Sequence, residues 1–138
     1  MMDNRKKLSI FLFTGYTPRA VALKERVEKA CNGSARISLI DSEFFILEKR
    51  SKAEGSVVIL DLPNIKKSAV QTITLVKETV SHTKLLAIHI YTTKLLIDPL
   101  IEAGIDGYLS YEPDSAQLKD AITAVLNGDK YMPPEFSG

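Results

Sequence analysis

Cysteine is nearly absent from this chain: one residue, Cys31, in 138, which excludes an internal disulfide and any cysteine zinc cluster. A strong charge of either sign is missing too. Lys+Arg 18 against Asp+Glu 17 leaves a net charge of +1, so the domain by itself lacks the basic excess that recognises nucleic acid or an anionic membrane. No apolar segment approaches the ~20 residues of a membrane-spanning helix, and no signal-peptide pattern is present; a cytoplasmic protein is expected. There is no glycine-rich phosphate loop either. Thr14-Gly15 offers one glycine where a nucleotide-binding loop needs several, and Pro18 removes an amide donor.

What is present is ordinary in balance and regular in order. A chain that is 45% hydrophobic and 25% charged is a globular protein of about one domain. Apolar β-forming runs stand at Leu8–Phe13, Ala35–Ile40, Val57–Leu60, Leu85–Ile90 and Asp106–Ser110. Segments of helical period alternate with them. The first runs from Pro18 to Cys31, with Val21, Leu23, Val27 and Ala30 inward and Asn32-Gly33 as its stop. The second runs from Asp41 through Phe44, Phe45, Ile46 and Leu47 to Lys52, and the third from Lys67 to Val80 with Val70, Ile73, Thr74 and Val76 or Lys77 around its stripe. The fourth is either short, with Asp98 as cap and Pro99 at its first position and Thr92–Ile97 irregular, or a longer helix kinked at Pro99; the short helix is the expected one. The fifth is capped by Asp114 and carries Leu118, Ala121, Ile122, Val125 and Leu126 to Asn127-Gly128. Strict alternation with right-handed crossovers predicts an α/β fold, a five-stranded parallel sheet covered on both faces.

Within that frame one run stands out. Ser56-Val-Val-Ile-Leu-Asp61-Leu-Pro63 places a single carboxylate at the mouth of a buried parallel strand, where α/β proteins put chemistry. The plain alternative is that Asp61 accepts backbone N–H bonds from the following turn. His89 closes an apolar strand and is open to three readings: a hydrogen-bonded rim residue, a pH-sensitive neighbour of Asp61, or a metal ligand. No Ser or Cys nucleophile lies between the two, which argues against a hydrolase. His82 reads as a loop residue, and Cys31, near the end of an apolar helical face, as a buried inert thiol.

The stretch Ala103-Gly-Ile-Asp-Gly-Tyr-Leu-Ser110, then Glu112-Pro113, Leu118-Lys-Asp-Ala-Ile122 and the tail Asn127-Gly-Asp-Lys-Tyr-Met-Pro-Pro-Glu135, resembles the receiver domains of two-component response regulators of the NarL/LuxR type. Val-Val-Ile-Leu-Asp61-Leu-Pro63 resembles their phosphoacceptor strand. The resemblance implies a flavodoxin-like (βα)5 three-layer sandwich of strand order 2-1-3-4-5. It also implies a receiver-like domain over residues 1–130, with 131–138 beginning a linker to a helix-turn-helix DNA-binding domain outside this chain.

In that family the phosphoryl group passes from a kinase phosphohistidine to the strand-three Asp with the help of Mg²⁺, because carboxylate and phosphoryl oxygens repel unless a cation bridges them. Here only Asp61 and the strand-five aromatic, Tyr108, remain of that set. Thr14 and Gly15 stand where the family has its acidic pair, His89 where it has a Thr or Ser, and Tyr111 where it has a Lys. The implied function is that of a pseudo-receiver in signal transduction and transcription regulation, not an enzyme, with weak or absent Mg²⁺ binding and no cofactor. It would act by protein contact through Tyr108, Tyr111 and Leu118. Partners would be a histidine kinase or another regulatory protein and a second copy of the chain, with DNA reached only through the further domain and no membrane. Two alternatives stand beside it. One is a working phosphoacceptor at Asp61 with Asp41 or Glu43 supplying charge to a rearranged metal site; the other is a flavodoxin-like ligand-binding domain.

Overall fold

A computed structural model describes residues 8–15, 17–40 and 56–136. Five strands form one parallel sheet: β1 (Leu8–Thr14), β2 (Ala35–Ile40), β3 (Val57–Asp61), β4 (Lys84–His89) and β5 (Gly107–Ser110), in the order β2-β1-β3-β4-β5. This is the flavodoxin-like order expected. Among the described residues four α-helices pack on the sheet: α1 (Thr17–Ala30), α2 (Ala69–Thr79), α3 (Lys94–Ala103) and α4 (Ser115–Leu126). The helix expected at 41–52 lies outside the described residues.

Two apolar layers form because the central strands β1, β3 and β4 are hydrophobic on both sides. Ile10, Leu12, Val57, Ile59, Leu86, Ile88 and Leu109 meet Leu23 and Val27 of α1 and Leu118, Ala121, Ile122 and Val125 of α4. On the other face Phe11, Phe13, Val58, Leu60, Leu85, Ala87 and Tyr108 meet Ile73 and Val76 of α2 and Ile97 and Leu100 of α3. The central strand β3 is buried at every residue. Among the described residues no helix is long and apolar enough to cross a membrane.

The helices depart from the sequence reading in three places. Val21 is 50% exposed; two residues from Leu23, it sits about 200° away around the helix and cannot share its inward face. In α2 the buried side chains are Thr72, Ile73 and Val76, while Val70 is 41% exposed, because Ser68 caps the helix by accepting from the Gln71 amide and sets Val70 in the outer first turn. The largest departure is α3. It starts after Thr93, earlier than expected, and runs through Pro99 rather than from it. The proline ring is exposed and removes only the bond to the Leu95 carbonyl, in a turn whose Leu95 side chain is 82% exposed and where water can serve the freed oxygen. Ile97 and Leu100 are buried, and that burial holds the helix across the proline.

α4 begins with a full capping box, Asp114 accepting from the Gln117 amide and the Gln117 side chain accepting from the Asp114 amide. After α4 the chain returns to the sheet: the Tyr108 amide donates to the Tyr131 carbonyl and the Tyr131 amide to the Asp106 carbonyl, each at 3.0 Å. Gly107 permits this approach, since a Cβ there would lie 3.1 Å from Tyr131 Cβ, and 2.6 Å from Leu86 Cδ2 on the neighbouring strand. Met132 and Phe136 then pack on the core.

Candidate functional site

At the C-terminal edge of the sheet Thr14, Asp61 and Ile88 stand in one row across β1, β3 and β4. Strand alternation turns the Asp61 side chain to the α1/α4 side, the side taken by Val57 and Ile59. The carboxylate is fully buried. It accepts from Thr14 Oγ1 at 2.8 Å, and Arg19 Nε donates to both of its oxygens, at 2.9 and 2.7 Å. It makes no capping bond to the short 3-10 turn Leu62–Asn64 that follows, so the turn-acceptor reading of Asp61 is replaced by an ion pair.

Arg19 lies in the first turn of α1, on the same face as Leu23 and Val27, and its side chain is 6% exposed. Its Nη1 donates to a carboxylate oxygen of Glu112, whose other oxygen accepts from Arg26 Nη2 at 3.3 Å. Its guanidinium carbon stands 3.9 Å from the centroid of the Tyr111 ring, a cation–π contact. Arg19 Nη2 is buried without a hydrogen-bond partner. Burial opposes the Arg19 charge, but the bonds and charge of Asp61, with Glu112 behind them, more than offset it, and the net pKa direction is upward. Burial of Glu112 works the same way against its carboxylate, and Arg19 and Arg26 prevail, holding it below the usual range. Glu112 has φ 62, a left-handed conformation that costs a non-glycine residue about 1–2 kcal/mol. The two arginines hold it there.

This arrangement does not fit Mg²⁺. A hard divalent cation needs several oxygen donors at short range, yet the strand end next to Asp61 carries Thr14 and Gly15 and no second acid. Among the described residues no three His, Cys, Asp or Glu side chains stand close enough to hold a metal ion. A guanidinium already rests on the one carboxylate at the strand end. Asp41 and Glu43, the acids considered for a rearranged site, lie outside the described residues.

The other residues singled out from sequence scatter. Gly15 is exposed beside the site. His89 is half-buried; its Nδ1 accepts from the Ile90 amide at 2.9 Å and its ring stands 4.1 Å from that of Tyr91. Burial lowers its pKa, and the Asp61 charge offsets this only in part. Tyr108 is fully buried rather than exposed, on the opposite side of the sheet from Asp61, and its hydroxyl donates to the carbonyls of His89 at 2.9 Å and Tyr91 at 2.8 Å. Leu118 is fully buried as well. Neither can serve as a surface contact; of the three residues expected on an interaction face only Tyr111, 46% exposed, reaches solvent. Cys31 is partly buried, which pushes its thiol pKa up, and His82 is exposed.

Arg19 and Glu112 complete the site, and the sequence reading named neither as a functional residue. A signal for Arg19 was available: it precedes Leu23 by four residues and Val27 by eight, so the inward stripe of α1 runs straight through a charged side chain. An arginine on such a stripe requires a buried partner, and Asp61 was the unpaired acid at hand.

With this geometry in view, comparisons locate the fold. No protein-family model matches the sequence, and no match is found among curated proteins. Among solved structures the chain is similar to the isolated receiver domain of RcsB from Salmonella enterica serovar Typhimurium, at 12% identity over 96% of this chain and 97% of that one, with a TM-score of 0.76. It covers 65% of a longer RcsB chain. It is similar to a LuxR-family two-component response regulator from Aurantimonas, at 17% identity over 96% and 94% of the two chains with a TM-score of 0.78. A protein assigned to pilus assembly in Burkholderia thailandensis matches at 14% identity over 84% and 95% with a TM-score of 0.71. The chain has the fold of response-regulator receiver domains, LuxR-family regulators among them.

Proposed function

We propose that this domain is a pseudo-receiver, a signalling module that works by protein contact without Mg²⁺-dependent phosphorylation of Asp61. The observation that carries the reading is the Arg19–Asp61 pair: Nε–H spans both carboxylate oxygens and Thr14 Oγ1 engages one of them. Transfer of a phosphoryl group to Asp61 needs one of those oxygens free and in line, with a cation bridging the charges that meet. Here the oxygens are occupied and the cation is a side chain anchored in α1.

The proposed partners are a regulatory protein, a histidine kinase included, and a second copy of the chain. DNA would be reached only through a C-terminal helix-turn-helix domain, and the setting is cytoplasmic. Catalysis is no part of the reading. Exposed Tyr111, Leu95 and Leu96 are the contact residues of choice, in place of Tyr108 and Leu118.

Titration with Mg²⁺, followed by the backbone amide resonances of Thr14, Asp61 and Leu62, tests the assignment. The expected result is no saturable shift. Saturable shifts that vanish in Asp61→Asn would overturn the reading and favour the working phosphoacceptor instead.

A further inference from the structure

We propose that Arg19 is a clasp that fixes the seat of α3 from the far side of the sheet, so that the exposed Leu95–Leu96 edge of α3 is presented in one disposition with no bound cation or covalent modification. Arg19 binds Asp61 at the end of β3 and, beyond it, Glu112 and the Tyr111 ring at the end of β5. Tyr108, three residues before Tyr111 on β5, donates to the carbonyls of His89 and Tyr91, which open the segment leading into α3. His89 pairs with Ser110 across β4 and β5. One cation therefore ties α1 to the β5 end, and one hydroxyl carries the tie through the sheet to the α3 segment. The orphaned Arg19 Nη2, a desolvation cost, and the left-handed Glu112, a conformational one, are both accepted at the clasp. The inference rests on the pseudo-receiver reading and assigns Arg19 a positioning role within it.

Hydrogen exchange of backbone amides in the full chain tests it, comparing the unaltered protein with Arg19→Met/Asp61→Asn, which removes both charges together, with Tyr108→Phe and with the combination. In the charge-removal variant exchange of Leu96 and Ile97 should rise at least about fivefold, while α2 amides keep their protection. The combined variant should exchange no faster at these amides than Tyr108→Phe alone, because both act through one path. An unchanged rate at Leu96 and Ile97, or effects of the two changes that multiply, would overturn the clasp. Should the charge-removal variant fail to fold, Glu112→Gln with Tyr111→Ala opens the outer half, and the same rise or its absence decides. The Mg²⁺ titration separates the two ideas, since a saturable shift removes the pseudo-receiver reading, whereas the exchange pattern judges the clasp alone.

Discussion

Two aspartates at opposite ends of the sheet carry the same charge and are treated in opposite ways. Asp106, just before β5, caps the entry of β4 by accepting from the Leu85 amide at 2.8 Å, and two lysines approach its carboxylate, Lys130 at 3.2 Å and Lys77 at 3.8 Å. Its side chain is 14% exposed and Lys130 is 68% exposed, so water shares the charge and long flexible cations serve it loosely. Asp61 is 0% exposed and is met by a planar guanidinium from a helix and by a hydroxyl from the neighbouring strand. The first is a staple of the fold. The second is a carboxylate at the position where this architecture places its chemistry, with its lone pairs engaged and its charge neutralised from within.

The comparison breaks most visibly on the cations. Arg19→Met leaves Asp61 buried and unpaired and is expected to cost about 3–5 kcal/mol of stability, whereas Lys130→Met, which empties a wet surface pair, should cost under about 1 kcal/mol. Denaturant unfolding of the two variants checks this, and equal losses would mean that Asp61 is no more dependent on its partner than Asp106 is.

A smaller effect belongs to pH. Glu112 is held below its ordinary range in the folded protein by Arg19 and Arg26, against the opposing effect of burial. A carboxyl whose folded pKa lies below its unfolded value adds stability above about pH 4.3, and that stability is lost as pH falls through the folded value. With Glu112 51% exposed the contribution is small and screened by salt. Melting temperatures of the unaltered chain and Glu112→Gln should differ at pH 6 and converge as the pH drops below about 4. A gap that widens toward acid would reverse the assigned sign.

The sheet was legible because apolar runs such as Val57–Leu60 and Leu85–Ile88 admit few other fates, and the regular spacing of Asp114, Leu118, Ala121, Ile122 and Val125 specified the last helix down to its cap. Pro99 misled because propensity argues for a helix start there, while the buried pair Ile97 and Leu100 on its two sides pulls the helix through. Tyr108 misled for a different reason. A tyrosine near a strand end reads equally as an exposed contact or a buried donor, and only tertiary structure supplies the two carbonyls that its hydroxyl reaches. The site was half legible: that Thr14 and Gly15 bring no acid to the strand end stands in the sequence, but the partners of Asp61 come from residues 42 and 51 positions away in the chain, Arg19 and, behind it, Glu112, whose meeting local pattern does not encode.

The central claim is that Asp61 is closed to phosphoryl transfer, and intact-protein mass after incubation with a small acyl phosphate and Mg²⁺, with Asp61→Asn alongside, tests it most directly. The account predicts an unchanged mass in a protein verified as folded. A gain of one phosphoryl group that is absent from Asp61→Asn would contradict it and make Arg19 the stabilising cation of a working switch.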